Sequence, residues 1–326
     1  MIPDTKAYIE EVNKKLQAVR LEMGKTVVGQ ERLITRMLIA LLADGHLLVE
    51  GVPGIAKTLA VNTFSKVLKL DFKRIQFTPD LLPADLIGTT IYNPKEGNFS
   101  VQKGPVFTNI VLADEINRAP PKVQSALLEV MQEKQVTIGG QTFKTGVPFL
   151  VFATQNPIEQ EGTYPLPEAE TDRFMMKVEV SYPTEQEERT IVLRYTQEIK
   201  PEIPIPVMMP EDIVECRAAL HSIYLDEKIL TYILDIVAAT RGAKDNKGGA
   251  HELLEYGASP RASIWLTMAS KAHALLDGRA YVTPYDVQEI AFDVLRHRLV
   301  LSYAAEAEEV TADTIIQRIL DTIAVP

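Results

Sequence analysis

Two short segments carry groups suited to phosphate chemistry. Gly51-Val52-Pro53-Gly54-Ile55-Ala56-Lys57-Thr58 follows the apolar run Leu47-Leu48-Val49-Glu50 and leads, through Leu59, into a helix-forming stretch. Glycines at this spacing let the backbone curl so that successive N–H groups face a phosphate, and the start of the next helix adds favourable potential. Lys57 is placed to reach the β- and γ-phosphates of a nucleotide, and the Thr58 hydroxyl to hold Mg²⁺. Gly51 through Leu59 are thus the candidate nucleotide-binding residues. Ala56 stands where the last glycine of the pattern belongs; backbone dihedrals already near the helical region would tolerate its methyl group.

The second segment, Ile110-Val111-Leu112-Ala113-Asp114-Glu115, is an apolar strand ending in two carboxylates. Asp114 suits Mg²⁺ bound directly or through water, and Glu115 can orient or deprotonate an attacking water. Carboxylates at the end of a buried strand are costly unless they are paired, so the placement asks for a cation. Three further residues fit a hydrolytic site. Asn156 ends the apolar run Phe149–Thr154 and could position water near a γ-phosphate. Arg173, in Glu168-Ala169-Glu170-Thr171-Asp172-Arg173-Phe174, closes a helix just before a strand. Arg261, in Ser259-Pro260-Arg261-Ala262, sits at a helix start, where a cation is disfavoured unless an anionic ligand is near. For Arg173 the competing reading is an intrachain ion pair with Asp172 or Glu170.

Taken together, these segments resemble the MoxR family of AAA+ ATPases. The resemblance runs from Val28-Gly29-Gln30 to the C-terminal part. It rests on Gly51–Thr58, Leu112-Ala113-Asp114-Glu115-Ile116-Asn117-Arg118-Ala119, Ala153-Thr154-Gln155-Asn156-Pro157, Gly162–Ala169, Asp172-Arg173-Phe174 and Ser259-Pro260-Arg261-Ala262. It implies an ATP- and Mg²⁺-dependent ATPase with Gly29 and Gln30 near the adenine. Asn156 would be a first sensor, Arg173 a finger reaching a neighbouring subunit and Arg261 a second sensor. It further implies a homo-hexameric ring that remodels client complexes or helps load metal cofactors, with a von Willebrand factor A-domain protein as partner. A chelatase-type motor subunit and a slow nucleotide-dependent scaffold are the alternatives; Glu115, Asn156 and Arg173 together favour turnover over a passive switch.

The elements that must position these residues follow from hydrophobic periodicity. Ile9, Val12, Leu16, Val19 and Met23 mark a first helix after Asp4, with Gly24 expected to end it, and a second helix follows Gln30. Strands are expected at Leu47–Glu50, Phe72–Phe77, Ile110–Ala113, Phe149–Thr154 and Lys177–Val180, alternating with helices. That is the pattern of an open, mainly parallel α/β sheet covered on both faces. Two insertions interrupt it: Thr78–Asn109, which resembles the helix-two insertion of the wider clade, and Gln135–Thr145, a β-hairpin around Gly139-Gly140 that resembles its pre-sensor hairpin. After Tyr182 strands are no longer expected. Lys200–Pro210, with four prolines, reads as a connector, and helical patterns follow at Ile229–Ala239, Arg261–Leu276, Pro284–Leu299 and Ala312–Ile323. The expected division is an AAA+ core over residues 1–182 and a smaller all-helical lid over 183–326.

The 326 residues are 46% hydrophobic and 24% charged, the balance of a globular protein with a substantial core. The single cysteine, Cys216, excludes an internal disulfide and a zinc cluster and is expected to be a packed thiol. A net charge of -10 argues against a broad nucleic-acid surface, and only Lys95, Lys103 and Lys144 lie in the insertions. No run approaches bilayer length and no secretory leader pattern opens the chain, so a cytoplasmic location is expected.

Overall fold

In the computed structural model, which describes residues 5–52, 54–95, 97–157, 162–196, 202–241 and 253–326, the expected strands assemble into one sheet. Two helices come first, α1 (Thr5–Thr26) and α2 (Glu31–Ala43), then β1 (Leu47–Glu50), α3 (Lys57–Val67) and β2 (Phe72–Gln76). The first insertion folds as a short helix α4 (Pro83–Ile87) and an antiparallel hairpin, β3 (Gly88–Asn93) and β4 (Asn98–Lys103). β5 (Ile110–Asp114) and α5 (Pro121–Glu133) precede the second hairpin, β6 (Gln135–Ile138) and β7 (Gln141–Lys144). β8 (Leu150–Gln155), α6 (Glu168–Thr171) and β9 (Met176–Glu179) complete the sheet, whose order is β2-β5-β8-β1-β9 with every pairing parallel.

Burial on both faces explains the near-continuous apolar strands. Along β5, Ile110 and Leu112 enter the core on one face while Val111 and Ala113 enter the core on the other. The period-two alternation of side chains thus divides one run between two hydrophobic clusters.

Helices dominate the remainder: α7 (Glu185–Thr196), α8 (Pro210–Ser222), α9 (Glu227–Ala239), α10 (Pro260–Leu276), α11 (Pro284–Leu295), α12 (Tyr303–Ala307) and α13 (Ala312–Thr322). Strands do not stop entirely after Tyr182. β10 (Leu254–Tyr256) and β11 (Val300–Leu301) form a small antiparallel pair inside the helical region, fastened by Ser302 N donating to Leu253 O at 2.9 Å. The Pro284 helix ends at Leu295 and passes into a 3₁₀ turn, Arg296–Arg298.

The first helix does not end at Gly24. Val12, Leu16, Val19, Met23 and Val27 form one buried stripe, and Val27 N still donates to Met23 O at 2.8 Å. Burying that stripe outweighs the ~1 kcal/mol that a glycine costs inside a helix. The connector has no regular structure over 202–209 and is tied down by two of its backbone N–H groups, Ile205 N donating to the Glu22 carboxylate (3.0 Å) and Val207 N to Val67 O (2.9 Å). Cys216 is fully buried in α8, and burial pushes its thiol up to about 12, so it stays protonated and packed.

Helices α8 and α10 pack on α1 and α2, α11 packs on α10 and β9, and all of them share one hydrophobic cluster with the sheet. A buried ion pair reinforces the joint. Arg36 of α2 donates through Nε to Asp293 Oδ2 of α11 at 2.6 Å, and both side chains are almost wholly inaccessible. No helix among the described residues is long and apolar enough to cross a membrane.

Candidate functional site

Parallel pairing brings the C-terminal ends of β1, β5 and β8 side by side, and with them the three chemical segments. Glu50 pairs with Gln155, and Ala113 with Ala153, so the phosphate loop, Asp114-Glu115 and Asn156 all leave the sheet at the C-terminal ends of its inner strands. The loop departs at Gly51, whose N–H donates to Gln155 O (3.3 Å). A Cβ on Gly51 would lie 2.6 Å from Ile55 Cδ1 and 2.7 Å from Val180 O, so the close approach demands glycine. Pro53 lies outside the described residues.

Ala56 departs from expectation. It is not near helical dihedrals but left-handed, at φ 62° and ψ 21°, and its carbonyl accepts the first bond of α3 from Ala60 N at 2.9 Å. An L-residue pays about 1–2 kcal/mol in that region, the cost a glycine would avoid.

Lys57 points back across the loop, donating through Nζ to Gly51 O at 2.5 Å. Burial lowers its pKa, while the charges of Asp114, Glu115 and Glu50 act in the opposite direction. A half-buried ammonium bonded to one neutral carbonyl is short of negative charge, and a phosphate in the cleft would supply it.

The cleft measures about 390 Å³ and is lined by Gly54 through Thr58, Arg74, Asp114, Glu115 and Thr154 through Asn156. Asp114 accepts from Thr154 Oγ1 (2.6 Å) on one oxygen and from Arg74 Nε and Nη2 (2.9 and 2.7 Å) on the other. Glu115 sits at φ 57°, ψ 52°, another left-handed non-glycine residue. Its carboxylate accepts from Gln76 Nε2 (2.8 Å) and faces Arg118 Nε at 3.1 Å, while its N–H donates to Thr154 Oγ1 (2.9 Å). Strain of this kind persists only where neighbours over-determine the backbone, as the Thr154 bond does here. Thr58 and Asp114 offer a hydroxyl and a carboxylate to one cleft, a hard-oxygen donor set that fits Mg²⁺.

Arg173 and Arg261 lie elsewhere. They line a second cavity of about 330 Å³, with Asp44, His46, Lys134 and Trp265, and neither lines the phosphate cleft. Arg173 forms no ion pair with Asp172 or Glu170. Asp172 instead faces Arg298 (2.8 Å) and Arg261 (3.6 Å), and Glu170 accepts from Ser125. Arg173 Nε is buried with no hydrogen-bond partner among the described residues. Gly29, with Arg20, Ile34 and Arg194, lines a third cavity of about 610 Å³. Gln30 lies next to it in a left-handed conformation and donates weakly to Ser181 O (3.5 Å).

Comparison with known proteins agrees with this geometry. The model of the ATPase family associated with various cellular activities matches residues 46–176, and that of the AAA lid domain matches residues 247–319. The chain is 49% identical over 314 residues to Chaperone MoxR1 of Mycobacterium tuberculosis, covering 95% of this chain and 82% of that protein. It is 31% identical over 324 residues to Protein MoxR of Methylorubrum extorquens, covering 94% and 93%. The chain belongs to the MoxR family of AAA+ ATPases. A crystal structure of a "putative ATPase" from Cytophaga hutchinsonii superposes with a TM-score of 0.91 at 49% identity, covering 98% of this chain and 97% of that one.

For a MoxR-family ATPase the surprise lies on β2. Phe72-Lys73-Arg74-Ile75-Gln76 declares a strand, and neither Arg74 nor Gln76 stands out in it. Pairing decides their role: Gln76 lies opposite Asp114, and Arg74 shares its face two residues earlier. Thr154, quoted above only as part of a motif, is a buried threonine on β8 that holds Asp114 and Glu115 together.

Proposed function

We propose that the protein binds and hydrolyses ATP in the Lys57 cleft and uses the cycle to remodel client complexes as a chaperone-like ring. The observation that carries this reading is the meeting of Gly54–Thr58, Asp114, Glu115 and Asn156 in one cleft at the C-terminal ends of the inner strands of a parallel sheet.

The loop N–H groups and Lys57 bind the phosphates, and Thr58 and Asp114 would hold Mg²⁺. The metal would supply charge neutralisation at the phosphate oxygens. Glu115 takes a proton from the attacking water or orients it, and Asn156, almost fully buried, fixes the water's position. Arg173 lines a cavity other than the one that Lys57 lines, and this favours its acting on a neighbour's nucleotide, where an arginine stabilises transition-state charge, while Arg261 is the second sensor, carried by the lid that closes over the nucleotide. Gly29 and Gln30 flank the adenine. The chain divides near Tyr182 into a nucleotide-binding core and a lid. A hexameric ring, a von Willebrand factor A-domain partner and clients matured or loaded with metal complete the reading; the relative named a chaperone supports the remodelling role.

The test is a titration with a fluorescent ATP analogue. Lys57→Ala abolishes binding with an unchanged circular dichroism spectrum, whereas Glu115→Gln binds the analogue and loses phosphate release. Unchanged affinity in Lys57→Ala overturns the reading of the cleft.

A further inference from the structure

Arg74 occupies the side of Asp114 that a cation would use. Its Nε and Nη2 both donate to Asp114 Oδ2, at 2.9 and 2.7 Å, while Thr154 Oγ1 takes Oδ1 at 2.6 Å. Two donors use the lone pairs of Oδ2, so a divalent cation on that oxygen would meet a guanidinium within contact distance. Arg74 and a cation therefore exclude one another at Oδ2.

Arg74 is also able to leave. It sits on the edge strand β2, its side chain is 49% exposed, and it lines the same cleft as the phosphate loop. Its second tether is the neutral Gln76 Oε1, at 2.9 Å. When a guanidinium gives up a carboxylate it needs another anion, and the phosphates bound by Lys57 and the loop would lie in the same cleft.

We propose that Arg74 is an exchangeable counter-ion of the cation site. It holds Asp114 when no nucleotide is bound and moves to the phosphates when the metal nucleotide arrives. Metal and nucleotide then bind cooperatively, because each removes the obstacle to the other, and free divalent cations are kept off Asp114. The bland reading is a half-exposed ion pair on an edge strand, which contributes little to stability and nothing to metal affinity. This inference rests on the reading of Asp114 as a cation ligand, and the experiment separates the two.

Mn²⁺ binding is followed by electron paramagnetic resonance of the full-length protein, with and without a non-hydrolysable ATP analogue. Without nucleotide, Arg74→Gln binds Mn²⁺ roughly tenfold or more tightly than wild type, since a like charge has been removed from contact distance. Arg74→Lys, which keeps the charge, stays near wild type. The gain in Mn²⁺ affinity on adding the analogue is large in wild type and small in Arg74→Gln. Without nucleotide, Asp114→Asn abolishes Mn²⁺ binding in either background. Equal Mn²⁺ affinity in Arg74→Gln and wild type, with binding still lost in Asp114→Asn, overturns the role of Arg74 alone. Binding that survives Asp114→Asn overturns the reading of Asp114. Matching thermal unfolding of the variants shows that the comparison is made on folded protein.

Discussion

Arg298 grips both neighbours of Arg173. It donates through Nε to the Asp172 carboxylate at 2.8 Å and through Nη2 to the Phe174 carbonyl at 2.6 Å, with its own side chain 1% exposed. The helical region thus sets the backbone that presents Arg173, although Arg173 itself makes no ion pair among the described residues. Removing Asp172 would strand a buried guanidinium. Asp172→Ala is expected to cost about 3 kcal/mol, read as a lower urea midpoint at unchanged slope. A loss below about 1 kcal/mol would assign the pair to the class of exposed salt bridges.

Mixing experiments test the separation of Arg173 from Lys57. Arg173→Ala and Lys57→Ala subunits are each expected to be inactive alone. Mixed where subunits exchange, they recover activity, because an intact loop in one subunit meets an intact arginine in the next. Full activity of Arg173→Ala by itself rules out the trans role, and so does absence of recovery once exchange has been demonstrated.

Ala56 makes a prediction opposite in sign to most loop substitutions. Glycine at a left-handed position relieves strain but adds unfolded-state entropy, so Ala56→Gly is expected to stabilise by about 0.5–1 kcal/mol. Thermal unfolding shifts upward, and affinity for the ATP analogue is retained or improved. A downward shift means that the methyl group makes packing contacts worth more than the strain.

Acid sensitivity follows from His46. Val151 N–H donates to His46 Nδ1 at 3.0 Å, so the ring is the neutral tautomer with Nε2–H directed at Met131 O, 3.2 Å away. Burial pushes its pKa down to about 4 from an ordinary 6.5. The unfolded chain therefore binds this proton below pH 6.5 and the folded chain only below about 4. Stability from this group is complete above pH 6.5, declines as the pH falls from 6.5 to 4, and levels off beneath, for a total of about 3 kcal/mol. His297, half-buried and held well below its ordinary value by desolvation, acts in the same direction. Urea titrations across that window should show a shallower decline in His46→Gln than in wild type; parallel declines exclude His46 as the source.

Much of the site was legible because its signals are local. A strand running into a glycine loop, and a strand ending in Asp114-Glu115, declare themselves within a few residues, and the parallel sheet follows from alternation. What escaped depends on partners distant in the chain. The end of α1 depended on a buried stripe running past Gly24, not on the glycine. The left-handed backbone of Ala56 belongs to the turn that starts α3, which the residue type does not declare. Arg74 and Gln76 acquired meaning only through the register that sets β2 beside β5, 38 positions along between Gln76 and Asp114. The pairing of Asp172 with Arg298 spans 126 positions, and no spacing rule announces it.

The hydrophobic cluster common to α2, β1, β8 and helices α8, α10 and α11 bears on cooperativity. Its members, among them Leu38, Val49, Phe152, Leu220, Leu266 and Ile290, come from both sides of the boundary that motifs draw near Tyr182. Exposing the helical side would strip cover from the α1–α2 face and leave Arg36 facing no carboxylate on Asp293. The two recognisable modules are therefore expected to melt as one calorimetric unit, with a van't Hoff enthalpy matching the whole heat absorbed: a fold modular in ancestry and indivisible in energy.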